Sequence, residues 1–189
     1  MIGSGAASPV TAAAASLLRE HPESYPSVAR RLQDAERLID SVIGGTSMGR
    51  QLPDGAPIRI RLCRRAVYDR GEIVAFWNGR QVTVHRVLFC GRSGRRRGVV
   101  ITRGDAYLFP DLPFDVASAW GVVTAVETEC GWHAPDALPR RPLAARAVAR
   151  IAEALVTTLC RIDLAFARRS LRLLYFVGRT AARPLRGAH

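Results

Sequence analysis

Apolar positions change their spacing twice along the chain, which divides it into a helical, a strand-rich and a second helical part. Residues 10–21 and 27–43 carry apolar side chains at three- and four-residue steps, interrupted by Pro22 and Pro26. This spacing predicts two N-terminal helices, since it places the apolar side chains on one helical face. The glycines Gly44-Gly45 are the predicted end of the second helix.

Strand-like patterns replace the helical ones from Ser47 to Val126. Residues 58–62 alternate strictly between aliphatic residues and arginine, and residues 72–77 form a run typical of a buried strand. Asn78-Gly79 separates that run from residues 82–88, and Asn-Gly between two strand-like runs is a strong β-hairpin signal. Further strands are predicted at 98–102 and 121–126. So many short strands in a short region predict a small, coiled β-sheet.

The C-terminal part returns to helical spacing after a proline-rich stretch. Residues 131–142 are the predicted linker, and residues 143–178 carry an apolar stripe with arginines largely opposite it. The expected fold is therefore mainly β with flanking helices, of the α+β class. The expected parts are an N-terminal helical segment (1–43), a β domain (44–130), the linker (131–142) and a basic amphipathic helical segment (143–189).

The charge of the chain is concentrated in this last segment. All 28 basic residues are arginine and the net charge is +12. Residues 140–189 contain eleven arginines and two acidic residues. Such a tail can meet nucleic acid, an anionic membrane surface or an acidic partner. The pattern carries no strong nucleic-acid signal; a packed or oligomerising helix is one interpretation, and a helix lying on a membrane surface is the other.

Targeting and metal-binding signals are weak. Residues 10–18 are apolar but no basic residue precedes them, and no stretch reaches the roughly 18 apolar residues of a membrane span. We therefore expect a cytoplasmic or peripheral membrane protein with no signal peptide or transmembrane helix. The cysteines at 63, 90, 130 and 160 are widely spaced, so we predict reduced thiols, no metal site and no cofactor.

Candidate chemistry comes from a serine, a histidine and two acids in chain order, namely Ser47, His85, Asp105 and Asp111. A serine hydroxyl is a weak nucleophile until a base takes its proton, and histidine titrates in the range that this task needs. An acid beside the histidine fixes its tautomer. Because the chain contains no lysine, the base of such a serine enzyme has to be His85.

The residues around the serine resemble the first motif of the signal peptidase type I superfamily, which includes LexA-like self-cleaving repressors. Ser47-Met48 is followed by Leu52 and Gly55 as in that motif, although Arg50 stands where the family has proline. Residues 71–76, Gly-Glu followed by aliphatic and aromatic residues, resemble the second motif.

Later motifs follow in the family's order. His85-Arg86-Val87 is similar to the motif that carries the base, and Gly104-Asp105 to the Gly-Asp motif, with Gly121 and the strand after it closing the region. Histidine in place of lysine resembles the branch of archaeal and endoplasmic-reticulum signal peptidases. The resemblance covers residues 44–126.

This resemblance implies a serine endopeptidase that cleaves a precursor or leader peptide through an acyl-enzyme and needs no cofactor. Ser47 would be the nucleophile, His85 the general base, and Asp105 or Asp111 the orienting acid. The family binds its substrate as an added strand. The predicted substrate contacts are Thr46, Met48 and Val84, and Met48 is expected either in the cleft wall or in the core.

Two other functions stay open at this point. One is a non-catalytic or self-cleaving regulator related to LexA-like proteins, against which the short N-terminal segment and the missing lysine count. The other is a binding protein whose basic tail contacts nucleic acid or anionic lipid. Its signature would be salt-sensitive binding that does not need Ser47.

Overall fold

The structure, a computed structural model, describes residues 31, 33–34, 36–78, 80–136, 142–162 and 168–170. Its main feature is an antiparallel, curled sheet of eight strands in the order β1-β2-β7-β3-β4-β5-β6, with β8 paired to β7. The fold is mainly β with a few helices, which confirms the predicted class. In chain order the strands are β1 (Leu38–Val42), β2 (Pro57–Leu62), β3 (Ile73–Trp77), β4 (Val82–Cys90), β5 (Val99–Arg103), β6 (Phe114–Asp115), β7 (Ala119–Thr128) and β8 (Gly131–His133).

The central strand β3 is buried on both faces of the sheet. Side chains of a strand point to alternate faces, so Ile73 and Ala75 join one hydrophobic core while Val74 and Phe76 join a second one. The four side chains are at most 3% exposed. A strand that is covered on both faces is apolar throughout, which explains why residues 73–77 form a continuous apolar run.

The predicted hairpin between β3 and β4 is confirmed. The backbone N–H of Asn78 donates to the carbonyl oxygen of Gln81 over 3.2 Å. The Asn78 side-chain oxygen accepts the N–H groups of Arg80 and Gln81 over 2.9 and 3.0 Å. Gly79 itself lies outside the described residues. This turn sets the register that brings His85 of β4 opposite Val74 of β3.

The predicted helix 27–43 is wrong for its last residues. Leu38–Val42 forms β1 at the edge of the sheet, where Ile39 lies opposite Ile60 of β2. The apolar positions in this stretch fit either periodicity, and pairing with β2 decides between them because Ile39 packs against the first core. Gly44-Gly45 therefore follows a strand and does not end a helix. The predicted helix 10–21 lies outside the described residues.

The sheet also extends beyond the predicted end of the β domain. Gly131–His133, which the sequence predicts as the start of the linker, forms β8 and pairs with Val126–Thr128 of β7. Strand β1 precedes residue 44 and strand β8 follows residue 130, so the sheet is longer in sequence than the predicted β domain, 44–130. Residues 137–141 of the predicted linker lie outside the described residues.

The predicted C-terminal helix is confirmed as α1, Leu143–Ile162. Val156 and Cys160, at 1% and 2% exposure, pack against Val99 and Ile101 of β5. Leu112, in the segment between β5 and β6, packs against the same cluster. The predicted remainder of the helix, up to 178, is described only at 168–170. Among the described residues, no helix is long and apolar enough to cross a bilayer.

Polar contacts add to this packing. Arg70 forms an ion pair with Glu153 of α1, and it also donates to the carbonyl oxygen of Leu88 in β4 over 2.9 Å. Farther along the chain, Nε of Arg168 donates to the carbonyl oxygen of Pro113 over 2.7 Å. The C-terminal residues thus contact the segment between β5 and β6 at two points, Leu112 and Pro113.

Candidate active site

Ser47 lies in a loop whose two ends are tied together. The N–H of Ile43 donates to the carbonyl oxygen of Ala56, and the N–H of Gly55 donates to the carbonyl oxygen of Ile43, each over 2.9 Å. Between these ties Met48 and Leu52 insert into the first core, at 1% and 0% exposure. The residue next to the serine is therefore an anchor that holds the loop on the sheet.

A tight turn presents Ser47 itself. The N–H of Gly49 donates to the carbonyl oxygen of Thr46 over 3.0 Å, so Ser47 and Met48 are the central residues of the turn. Gly49 has φ 58°, a left-handed conformation that glycine adopts without steric cost. Thr46 is exposed and Ser47 half-buried. Of the two places expected for Met48, the cleft wall and the core, its side chain lies in the core at 1% exposure, and its contact with substrate stays a prediction.

His85 is buried in β4 at 5% exposure, between two aromatic rings. The rings of Phe76 and Tyr107 meet the imidazole edge-on, with centroid distances of 6.3 and 6.2 Å. Nδ1 lies 2.6 Å from Oδ2 of Asp111. An ionised carboxylate only accepts hydrogen bonds, so in a neutral imidazole this contact requires the tautomer that has its proton on Nδ1. In that tautomer Nε2 has a lone pair, as a general base requires.

Thr102 holds the acid in this position. The N–H of Asp111 donates to the carbonyl oxygen of Thr102 over 2.8 Å, and the Thr102 hydroxyl donates to Oδ2 over 2.7 Å. Thr102 lies opposite Val87, two residues from His85, so both side chains belong to the same face of the sheet. The threonine is 0% exposed. The result is a chain of hydrogen bonds from the buried Thr102 through Asp111, whose side chain is 25% exposed, to the buried His85.

Asp105, the other predicted orienting acid, has a different partner. Its carboxylate accepts hydrogen bonds of 2.7, 3.0 and 3.1 Å from the guanidinium of Arg86. The two side chains are only 6% and 3% exposed. Arg86 also donates to the carbonyl oxygen of Gly71 over 2.9 Å. Arg86 follows His85 in the strand and so points to the opposite face. Of the two candidates, Asp111 is therefore the acid bonded to Nδ1 of His85.

The Ser47 turn and His85 meet at Gly104. A Cβ atom on Gly104 would lie 2.5 Å from the carbonyl oxygen of Ser47 and 3.1 Å from Nε2 of His85. The same Ser47 oxygen accepts the N–H of Ala106 over 2.9 Å. In the part of the chain that the structure describes, the Ser47 hydroxyl makes no hydrogen bond to His85. Such bonds often tighten only when a substrate is bound.

Beside His85, one edge of β4 has no neighbouring strand among the described residues. β5 pairs with Arg86–Cys90 only, whereas β3 pairs along Val82–Arg86 on the other side. Val84, a predicted substrate contact, is half-buried in this open stretch. An open strand edge offers backbone N–H and C=O groups to an extended peptide.

We also searched the described residues for a reactive thiol, a metal-binding cluster and a cavity. Burial raises the pKa of Cys63 and Cys160, so both thiols stay protonated. Cys63, Cys90, Cys130 and Cys160 are free thiols in this structure. No three His, Cys, Asp or Glu side chains of the described ranges lie close enough to share a metal ion. A cavity of about 460 Å³ is lined by residues 33, 64–66, 116, 117 and 119, and its lining includes none of the candidate site residues.

Sequence reasoning missed three residues of this arrangement: Thr102, Phe76 and Tyr107. Strand periodicity could have indicated Phe76, since it points to the same face as its neighbour Val74, which lies opposite His85. Thr102 follows the apolar residues Val99–Ile101, which marks it as the first polar residue of a strand whose five residues are all buried. Tyr107 has no comparable signal, because a loop brings it to the imidazole.

No protein-family model matches this chain, and no curated protein sequence matches it either.

Proposed function

We propose that the protein is a serine endopeptidase of the signal-peptidase-like type. One observation carries the proposal: a hydrogen-bond chain from the buried Thr102 through the half-buried Asp111 to the buried His85, whose second ring nitrogen, Nε2, lies next to the turn that presents Ser47. A nucleophile, a base and a group that orients the base are the elements of serine-based acyl transfer. The order of the motifs along residues 44–126 supports the signal-peptidase type and its curled catalytic sheet.

The proposed mechanism has two halves. The Ser47 hydroxyl oxygen attacks the scissile carbonyl carbon while Nε2 of His85 takes its proton, and the imidazolium then gives that proton to the leaving amine. Water, deprotonated by the same nitrogen, attacks the acyl carbon; the bond to the Ser47 oxygen breaks, and the imidazolium returns its proton to that oxygen. Asp111 holds the tautomer and stabilises the imidazolium. The backbone N–H of Ser47 is the proposed donor to the oxyanion.

The proposed substrate is an extended segment of a precursor or leader peptide. It would add as a strand along Val82–Val84, where backbone hydrogen bonds give affinity with little dependence on sequence. Thr46 is exposed at the serine turn and would contact the residues near the cleaved bond. Residues 107–109 are 40–55% exposed and would form an apolar rim beside His85. By resemblance to the family, small residues precede the cleaved bond.

Peptide cleavage tests this function. A library of peptides with small residues at the two positions next before the candidate bond is incubated with the wild-type protein and with Ser47→Ala, and products are identified by mass spectrometry. We expect one class of peptide to be cut. Loss of the nucleophile should lower kcat on the order of 10⁶-fold, which removes the product altogether. His85→Ala should have the same effect.

The control is Ser41→Ala, which removes the hydroxyl of an exposed serine in β1. We expect this variant to cleave like the wild type. Cleavage that persists in Ser47→Ala would contradict the mechanism. That result would favour the other function, a binding protein whose basic C-terminal segment contacts nucleic acid or anionic lipid.

Gly104→Ala should damage the site by crowding the serine turn and Nε2 of His85, without removing either reacting side chain. The added Cβ would be 2.5 Å from the Ser47 carbonyl oxygen, a distance that forces the serine turn away from His85. A displacement of about 1 Å at a reacting group costs about 10²-fold in rate. We expect peptide cleavage to fall at least about 100-fold and the free energy of unfolding to fall by about 1–3 kcal/mol. Cleavage rates and urea unfolding measure the two effects.

Gly44→Ala is the matched control, since a Cβ at Gly44 meets no atom within 4 Å. This glycine lies in the same loop as Ser47, and its substitution should leave both quantities nearly unchanged. Equal losses in the two variants would show that loop flexibility matters, and not the space between Ser47 and His85.

A further inference from the structure

Asp111 and Leu112 are neighbours in the chain, but their side chains belong to opposite faces of the sheet. The carboxylate of Asp111 meets His85 on the face of the candidate site, and its backbone N–H donates to the carbonyl oxygen of Thr102. Leu112 packs against the cluster that contains Ile101 of β5. Because Ile101 directly precedes Thr102 in the strand, the two side chains point to opposite faces. A single backbone step from Asp111 to Leu112 therefore connects the candidate site to the far face of the sheet.

Helix α1 covers that far face. The cluster against which Leu112 packs consists of residues from the helix and from β5 that are at most 5% exposed, namely Val99, Ile101, Val156 and Cys160. Leu112 itself is half-buried. In the chain, Ile101 immediately precedes Thr102. Leu112 immediately follows Asp111, so the packing under α1 holds the backbone next to both residues that position His85.

A polar contact also connects the helix with the strand of the base. The guanidinium of Arg70 is paired with Glu153 of α1, and it donates to the carbonyl oxygen of Leu88 in β4 over 2.9 Å. His85 belongs to the same strand. Helix α1 is thus attached to the strand of the base through Arg70 and to the chain beside the acid through Leu112. These two attachments link the position of the acid to that of the base from outside the site.

We propose that Leu112 is a positioning residue of the proposed peptidase, and that its packing under α1 holds Asp111 at hydrogen-bond distance from Nδ1 of His85. Leu112 acts through Asp111 and not on the substrate. Without this packing the backbone at Asp111 is less restricted, so that the carboxylate no longer selects one tautomer of the imidazole. The effect on the rate rests on the proposed function, whereas the effect on the tautomer is measured without any substrate.

Cleavage kinetics of the full chain give the first test. For a peptide that the wild type cleaves, Leu112→Ala should lower kcat about 10²-fold, as a displacement of about 1 Å at a catalytic group does. KM should stay nearly unchanged, because the open edge of β4 is not altered. Leu112→Met keeps nearly the same volume and should restore most of the rate. Val156→Ala changes the same cluster from the helix side, and its effect on kcat should be less than additive with that of Leu112→Ala.

Nuclear magnetic resonance of the ring nitrogens gives the second test and needs no substrate. The protein is labelled with nitrogen-isotope histidine, and spectra are recorded at a pH where the imidazoles are neutral. The signals of His85 are identified by their loss in His85→Ala. We expect the tautomer with its proton on Nδ1 in the wild type and in Leu112→Met, and a mixture of both tautomers in Leu112→Ala.

The matched control is Ile39→Ala, which shortens another half-buried aliphatic side chain, in this case one that packs against the first core. It should lower the urea midpoint but leave kcat and the tautomer of His85 unchanged, and circular dichroism checks that each variant is folded. A wild-type tautomer in Leu112→Ala would overturn the proposal, and so would an equal fall of kcat in Ile39→Ala. If the wild type cleaves no peptide, the proposed function fails, and the tautomer still decides whether Leu112 positions Asp111.

Discussion

Asp111→Asn is expected to lower kcat of peptide cleavage by about 10⁴-fold while the protein stays folded. Asparagine has nearly the same shape as aspartate, so the contacts with Thr102 and His85 can persist. Its amide is neutral and includes an NH₂ donor, and it no longer requires His85 to carry its proton on Nδ1. Nε2 is then protonated in a large fraction of molecules and cannot accept the serine proton. Cleavage rates as a function of pH measure this loss.

Two comparisons make this result specific. Asp115→Asn changes an exposed acid in the next strand that caps a short turn, where asparagine caps equally well, and it should leave kcat unchanged. The thermal midpoint of Asp111→Asn should stay within a few degrees of the wild type. A variant that keeps full activity would show that Asp111 does not orient the base. The proposal for Asp111 would then be withdrawn.

Asp105→Ala is expected to destabilise the protein by about 3–5 kcal/mol. The substitution leaves the guanidinium of Arg86 in an environment where its side chain is 3% exposed, without its carboxylate partner. A buried charge that loses its partner costs far more than the pair itself contributes, because the desolvation penalty remains. Urea unfolding followed by circular dichroism measures the change, as a lower midpoint with a similar slope.

The surface pair of Arg59 and Asp40 provides a matched control. It has the same two residue types and the same forked geometry, with hydrogen bonds of 2.7 and 2.9 Å, but its side chains are 36% and 53% exposed. Arg59 lowers the pKa of Asp40, although water screens much of that interaction. Asp40→Ala should therefore cost less than about 1 kcal/mol. Equal losses for Asp105→Ala and Asp40→Ala would contradict the role of burial.

The double variant Arg86→Met with Asp105→Leu separates charge from packing. Replacing both members of a buried ion pair by apolar side chains of similar size is often close to neutral. We expect this variant to regain most of the stability lost in Asp105→Ala. If it does not, the hydrogen bond from Arg86 to the carbonyl oxygen of Gly71 is the contact that matters.

These two predictions assign separate tasks to the two acids. Asp111 lies on the face of the sheet that His85 uses, whereas Asp105 lies with Arg86 on the other face. A change at Asp111 is expected to act on the rate, and a change at Asp105 on the free energy of unfolding. The segment from Gly104 to Leu112 connects both acids to the sheet and to α1, so its path determines the geometry of the candidate site.

The sequence by itself determined five of the strands, β2, β3, β4, β5 and β7, and the four candidate site residues. The alternation of aliphatic residues and arginine at 58–62 predicted β2, and Asn78-Gly79 predicted the hairpin that carries His85. Both signals depend only on neighbours along the chain. The order of Ser47, His85 and the two acids was also visible. Helical spacing predicted α1. Local patterns were sufficient to predict these features, since the alternation of a strand, the turn residues of a hairpin and the spacing of a helical face are each visible in residues a few positions apart.

Tertiary structure alone decided which of these residues meet. Residues 38–42 fit either a helix or a strand, and they form β1 because Ile39 finds its partner in β2, about twenty residues away. Met48 looked like a possible substrate contact and is an anchor in the core. The choice of Asp111 over Asp105 depends on how the loop after β5 crosses one face of the sheet. Packing of Leu112 against α1 and the bond to Thr102 hold that path, and both contacts join distant parts of the chain.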